Sequence, residues 1–144
     1  MKKTDPEILI FCMEDSKRQL ISSVCRQLHI RDTVCTEEME TAPIGMLCRA
    51  QDWNNPLLNI PKGDFPPLSE EMILIAGLSE ELLDRFLRES RSRGCSVSLK
   101  AVLTSHNAMW NARMLQDHMK QERAEVMRRF ASGKAGAPDS GSRG

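Results

Sequence analysis

The chain has 144 residues, with 20 Lys and Arg against 20 Asp and Glu, and only 4% of its residues are aromatic. This length fits one domain that can bury a core of its own. The zero formal charge excludes the basic surface on which non-specific binding of nucleic acid or anionic membrane depends. The scarcity of aromatic rings also excludes a stacking platform for single strands.

Cysteine usage and hydropathy indicate a cytoplasmic protein. The five cysteines are an odd number, lie far apart and form no C-x-x-C motif, so they fit neither a disulfide framework nor a zinc site. The apolar run Ile8–Met13 is too short for the core of a signal peptide, and no run approaches the roughly 18–20 apolar residues that cross a bilayer. We expect Cys12 and Cys25 in the core and Cys95 as the most exposed thiol. No metal, cofactor or membrane partner is expected.

The first third of the chain predicts a strand and a helix. The continuous apolar run Ile8–Met13 is typical of a strand that is buried on both faces. Ser16 and Gln19 have the spacing of a capping box at the start of the helix that follows. Two weaker elements come next, a short strand at Asp32–Thr36 and a short helix around Ile44–Arg49.

The middle of the chain predicts a long loop and then the best-defined helix. Four prolines with turn-forming residues between them prevent regular structure over residues 51–69. Met72–Ala76 has the composition of a second buried strand. The helix at Ser79–Gly94 has a serine cap, acidic residues in its first turn and a glycine at its end, so both ends suit the helix dipole.

The last third predicts an edge strand, a helix and a tail. Val97–Leu103 alternates in polarity, as a strand with one partly solvated face does. Thr104–Asn107 is expected to open a final helix that runs to about Phe130. Residues 131–144 have the Gly, Ser and Pro composition of a disordered tail.

This order of elements predicts a single small layered α/β domain over residues 1–130. About four mainly parallel strands with flanking helices are expected. The alternative is a ferredoxin-like α+β domain with an additional C-terminal helix. No internal repeat of fixed period is visible.

A parallel sheet would bring its strand-to-helix turns together at one edge, where ligands bind in open α/β sheets. None of these turns is a glycine-rich phosphate loop. The most distinctive turn begins at Thr104, where hydroxyl, imidazole and amide groups at a helix start could bind an anion. The same residues could instead cap the helix and pack the tryptophan on the sheet. The three turns are Met13–Ser16, Ala76–Ser79 and Thr104–Asn107. The candidate ligand-binding residues are Lys100, Thr104, Ser105, His106, Asn107 and Trp110.

The segment from Met72 to Glu122 resembles a bacterial family that is known only as a domain of unknown function. The residues that carry the resemblance are EMILIAGLSEELLDRFLRESRSRG and then LKAVLT-x-x-N-x-x-W. The earlier segment APIGMLC is similar to the part of the family that precedes its loop. The resemblance implies proline at position 105, where this chain has Ser105. It implies one compact domain and a bacterial origin, and it carries no activity.

The expected function is that of a small cytoplasmic binding or regulatory module without catalysis. Its contact surface would be the turn at Thr104–Trp110 or the last helix, and its partner another protein or a second copy of the chain. The alternative is a small-ligand-binding domain or an enzyme that uses the same turn. That alternative requires His106 and Lys100 to converge on one concavity. No catalytic residue is assigned, so the sequence favours a non-enzyme without deciding the question.

Overall fold

The computed structural model of the protein describes residues 5–48 and 65–133. The strands in this part of the chain are β1 (Glu7–Phe11), β2 (Arg31–Cys35), β3 (Met72–Ala76) and β4 (Leu99–Val102). The helices are α1 (Asp15–Gln27), α2 (Ile44–Leu47), α3 (Glu80–Ser92) and α4 (Ala112–Gly133), with a 3₁₀ helix at Glu37–Thr41.

The four strands form one mixed sheet in the order β2-β1-β3-β4. β1 runs parallel to β2 and β3 runs parallel to β4, whereas the central pair β1–β3 is antiparallel, with Phe11 opposite Met72. The predicted α/β domain with a mostly parallel sheet is therefore confirmed. The ferredoxin-like alternative is not observed, because β1 and β2 are direct neighbours and no strand separates them.

Helices cover both faces of the sheet. Alternate residues of the central strands point to opposite faces, so Ile8 and Ile73 join the core under α1 and α3, whereas Leu9 and Leu74 join the core that includes residues of α2 and α4. All five residues of β1 and of β3 are buried. The continuous apolar runs in the sequence therefore mark the two strands that have helices on both sides.

The two halves of the sheet repeat one strand–helix–strand unit, residue by residue, up to the end of the helix. Corresponding strands β1 and β3 have five residues each, and corresponding helices α1 and α3 have 13 residues each. A left-handed residue follows each strand (Cys12 and Gly77) and another follows each helix (His29 and Gly94). The repeat is invisible in the sequence because few side chains recur besides the shared Ile-Leu-Ile of the strands.

Two helix starts differ from the prediction. The N-cap of α1 is Glu14, with no hydrogen bond from its side chain, so the expected capping box at Ser16 does not begin this helix. α4 begins at Ala112 rather than at Thr104, and the side chain of Asn111 accepts the N–H of Met114 at 2.8 Å. The cap of α3 is confirmed, because Ser79 Oγ accepts the N–H of Leu82.

Most of the predicted Pro-rich loop, 51–64, lies outside the described residues, as do residues 134–144 of the predicted tail. Residues 65–69 carry no helix or strand, which agrees with the loop. α4 continues through Gly133, past the expected start of the tail at residue 131. Among the helices of the described ranges, none is long and apolar enough to cross a membrane.

Candidate functional site

The direction of the central strand pair separates the turns that were expected to meet. Because β1 and β3 are antiparallel, the carboxyl end of β1 lies at the opposite edge from the carboxyl ends of β3 and β4. The turn around Met13 is therefore remote from the turns that begin at Gly77 and Leu103. The prediction that three turns share one edge of the sheet is therefore wrong. Only the turns after β3 and β4 lie at the same edge.

The turn after β4 is closed by its own side chains. The Thr104 N–H donates to Asn107 Oδ1 at 2.9 Å, and the Asn107 N–H donates to Thr104 Oγ1 at 3.2 Å. Asn107 Nδ2 donates to the carbonyl of Val102 at 3.1 Å. The polar groups that resembled a helix cap thus stabilise a separate loop that precedes α4.

Backbone hydrogen bonds fasten this loop to α2. The Ile44 N–H donates to the carbonyl of Trp110 and the Gly45 N–H donates to the carbonyl of Ala108, both at 2.8 Å. Pro43 and Asn111 form an isolated antiparallel bridge beside them. The two segments hold each other, because a four-residue helix has too few internal hydrogen bonds to be stable alone.

Trp110 lies between two histidines. Its ring centroid is 5.7 Å from that of His106 and 5.2 Å from that of His118, and both pairs are edge-to-face. His118 Nε2 lies 3.2 Å from Glu122 Oε2 one turn further along α4. Trp110 is half-buried and packs against the core beside α4. His118 is not among the predicted site residues, because eight residues separate it from Trp110 in the sequence and a helix brings the two together.

Lys100 belongs to a different surface. It pairs in register with Ile73, whose side chain faces the core under α3. Lys100 Nζ donates to the carbonyl of Val97 at 2.6 Å, and its side chain lines a cavity beside α3. His106 packs on Trp110 in the region of α4. The convergence of His106 and Lys100 that an active centre at this turn requires is therefore not seen. Ser105, the neighbour of His106 in the sequence, is exposed.

Two carboxylates bind α4 to the body of the domain. Arg113 Nε donates to Glu40 Oε1 at 2.9 Å, and that same oxygen accepts the N–H of Leu68 at 3.3 Å. Glu40 is only 8% exposed, so this ion pair is nearly removed from water. Both terminal nitrogens of Arg123 donate hydrogen bonds to the carboxylate of Glu70, Nη1 to Oε1 at 3.2 Å and Nη2 to Oε2 at 2.7 Å.

Gln116 completes the attachment of α4. Its buried side chain accepts the N–H groups of Ser69 and Glu70 and donates to the carbonyl of Glu70 at 2.8 Å. Lys120 Nζ donates to Ser69 Oγ at 2.8 Å. These hydrogen bonds satisfy backbone groups of a segment that has no secondary structure of its own.

The outer part of α4 presents apolar side chains to solvent. Within the described residues, the core cluster that α4 joins includes none of its residues after Met119. Further along the helix, Val126 is 47% exposed, Met127 63% and Phe130 72%. We call residues 122–133 the outer half of α4.

Burial suppresses the reactivity of the cysteines. It raises the pKa of Cys25, Cys35 and Cys48 to about 12, and it also raises the pKa of Cys95. Cys12 is exposed, and its pKa is raised by partial burial and by Glu40 and Glu71. The expectation for Cys25 is confirmed, whereas Cys95 is buried and Cys12 is exposed, contrary to prediction. The left-handed backbone at Cys12 ends the strand and turns the side chain out of the core.

The fold and these contacts define a small mixed α/β domain with a well-packed body and a projecting last helix. No group of three or more His, Cys, Asp and Glu side chains in the described ranges could hold a metal ion. Residues 71–126, which span β3 to most of α4, match the family described as "Domain of unknown function (DUF3783)". The predicted resemblance to a family of unknown function is thus confirmed for this part of the chain. No curated protein and no solved structure matches the chain significantly.

Proposed function

We propose that the protein is a non-catalytic interaction module that pairs with a second copy of itself through the outer half of α4. The observation that carries the proposal is the exposure of Val126, Met127 and Phe130 on a helix that is otherwise firmly attached. Contiguous apolar side chains of this kind mark interaction surfaces on folded domains. The proposal includes a bacterial origin and a cytoplasmic location, and five free cysteines are compatible with a reducing compartment.

The exposed side chains continue the apolar stripe that attaches α4 to the sheet. Leu115 and Met119 are four residues apart and pack in the core. At 3.6 residues per turn, Val126 and Phe130 lie on the same side of the helix as these two. The stripe thus passes from a buried half to a half that is open to a partner helix.

Charges on the outer part of α4 favour an antiparallel pair of identical helices. Glu122 and Glu125 precede Val126, whereas Arg129 follows it by about one turn on the same flank of the helix. In an antiparallel twofold pair, the acidic end of each helix lies beside the basic end of the other, and a parallel pair would place like charges together. The zero net charge of the chain adds no overall repulsion between two copies.

The ion pairs within this part of α4 do not oppose such pairing. Glu125 contacts Arg128 and lies 3.5 Å from Arg129 within the helix. Exposed pairs of this kind contribute about 0–1 kcal/mol each, so they can be exchanged for pairs between helices at little cost.

Sedimentation equilibrium of the full chain over a range of concentrations tests the proposal. We expect a dimer for the unchanged chain and for Ala124→Asp, and a monomer for Phe130→Asp. Both variants add one negative charge to the same exposed helix, but residue 124 lies on the opposite side from Val126. An unchanged chain that stays monomeric, or a Phe130→Asp variant that still dimerises, would contradict the proposal.

A charge exchange tests the antiparallel arrangement. Glu122→Lys with Glu125→Lys makes this flank all-basic, and Arg129→Glu makes it all-acidic. Each variant is expected to dimerise more weakly than the unchanged chain, and an equimolar mixture of the two is expected to form the mixed dimer in native mass spectrometry. Equal dimerisation of all four samples would show that these charges do not face each other.

A further inference from the structure

A cavity of about 150 Å³ lies between α3 and β4, at the edge of the sheet where the helix layer ends. One wall is apolar and consists of Ile73, Phe86 and Leu87. The other lining residues are polar or charged, apart from Val97, and include Arg91 and Lys100.

The position of β4 explains why this space is open. Lys100 lies beside Ile73 in the register of the β3–β4 pair and therefore on the face that carries α3. Lys100 and Val102 are both exposed on that face, whereas Ile73 and Phe86 are almost fully buried. α3 therefore covers β3 but leaves the edge strand uncovered.

The two cations that line the cavity, Lys100 and Arg91, are not neutralised by the protein. Lys100 Nζ donates to the carbonyl of Val97 at 2.6 Å, and an ammonium group has three donors. Among the ion pairs of residues 5–48 and 65–133, none includes Lys100 or Arg91. The other basic residue near the end of α3, Arg93, pairs with Glu89. Two positive charges thus remain available beside an apolar surface.

We propose that this cavity binds a small monocarboxylate that carries one compact apolar group. A volume of about 150 Å³ accommodates a molecule of the size of benzene. The apolar group would pack against Leu87, the apolar lining residue of α3 that is partly exposed, and the carboxylate would accept hydrogen bonds from Lys100 and Arg91. Charge-assisted hydrogen bonds from a guanidinium suit the two oxygens of a carboxylate.

Titration of the ¹⁵N-labelled full chain with sodium benzoate tests the proposal, with benzamide and inorganic phosphate as matched probes. Benzoate is expected to shift the amide signals of residues 96–100 and of the second half of α3 in a saturable manner. Benzamide lacks the charge and phosphate lacks the ring, so each is expected to bind at least about tenfold more weakly. Equal binding of benzoate and either probe, or shifts that cluster elsewhere, would overturn the proposal.

Variants assign the binding to the two cations. Lys100→Met keeps the length of the side chain and Arg91→Gln keeps its polarity, and each is expected to weaken benzoate binding about tenfold. The control is Arg85→Gln, which removes a positive charge from an exposed position of the same helix and is expected to leave binding unchanged. All three positions are exposed, so the variants are expected to fold, which unchanged circular dichroism would verify. Loss of binding in Arg85→Gln as well would indicate a general effect of charge and would refute the site. The cavity is separate from the outer half of α4, so an absence of benzoate binding would leave the dimer proposal standing.

Discussion

Two residues of the first sheet half adopt a backbone conformation that glycine adopts at the matching positions of the second half. Cys12 has φ of 56° and His29 has φ of 61°, and their counterparts Gly77 and Gly94 have φ of 75° and 73°. A side chain in the left-handed region costs roughly 1 kcal/mol relative to glycine. The first half therefore carries backbone strain that glycine avoids at the matching positions of the second half.

Replacing His29 with Gly is expected to stabilise the protein by about 1 kcal/mol, because the exposed imidazole is removed from a left-handed position. The converse change, Gly94→Ala, is expected to destabilise it by about the same amount. A Cβ at residue 94 would meet no atom within 4 Å, so this cost is purely conformational. Urea unfolding of both variants measures the two effects, and changes of the same sign would contradict the comparison.

Asn107 is the residue that closes the loop after β4. Asn107→Ala removes its two side-chain hydrogen bonds and is expected to destabilise the protein by about 1–2 kcal/mol in thermal unfolding. Ser105→Ala in the same exposed loop is the control and is expected to stay within about 0.5 kcal/mol. A neutral Asn107→Ala would instead favour the ligand-binding interpretation of this residue.

At the scale of the elements, the attachment of α4 depends on pH. The hydrogen bond from Arg123 holds the pKa of Glu70 below its usual range. A lowered pKa in the folded state means that this pair stabilises the protein above the unfolded-state pKa of Glu70. The stabilisation is lost as the pH falls through the lower folded-state pKa.

The variant Arg123→Gln is therefore expected to return the pKa of Glu70 toward its usual value, as read from the ¹³C chemical shift of its carboxyl carbon. It should also reduce the acid sensitivity of the contact between α4 and the segment that contains Glu70. Arg128→Gln lies on the same helix and is the control, and it is expected to leave the Glu70 titration unchanged. An unaltered Glu70 titration in Arg123→Gln would show that another group lowers this pKa.

The sequence predicted the elements better than the way in which they pair. The buried strands and the helix at Glu80–Ser92 were found because apolar runs, caps and charge placement are local signals. The antiparallel direction of β1 and β3 was missed, because a strand that is buried on both faces has the same composition in either direction. The start of α4 was missed because Thr104 and Asn107 bond to each other in a loop, with groups that also suit a helix cap.

The spatial arrangement of the candidate residues could be predicted less well than the fold, for a related reason. Lys100 and His106 are near each other in the sequence, but Lys100 lies by α3 and His106 packs on Trp110 in the region of α4. This separation depends on which face of the sheet each side chain of β4 points to, and on the path of a loop that no local sequence pattern specifies. The pairing of Trp110 with His118 likewise required the observed start of the helix.

At the scale of the whole molecule, the thiols report on the integrity of both cores. Cys12 is exposed, and the other four cysteines are buried. Iodoacetamide at pH 8 is expected to label Cys12 first, and slowly, because its pKa is raised and little thiolate is present. The other four should react only at the rate at which the domain opens, as peptide mapping by mass spectrometry would show. Early labelling of Cys25 or Cys48 would indicate that one core opens independently of the other.

The repeated strand–helix–strand units also imply an order of folding. Within each unit the parallel strands are close in sequence, whereas the central pair joins Glu7–Phe11 to the distant Met72–Ala76. Closing a long chain segment carries a larger entropic cost than closing a short one. We therefore expect each unit to collapse locally and the two units to dock late, across β1 and β3. The two fully buried strands would then pair with each other last, after each has paired within its own unit, and the folding rate would depend on how quickly two half-formed units meet.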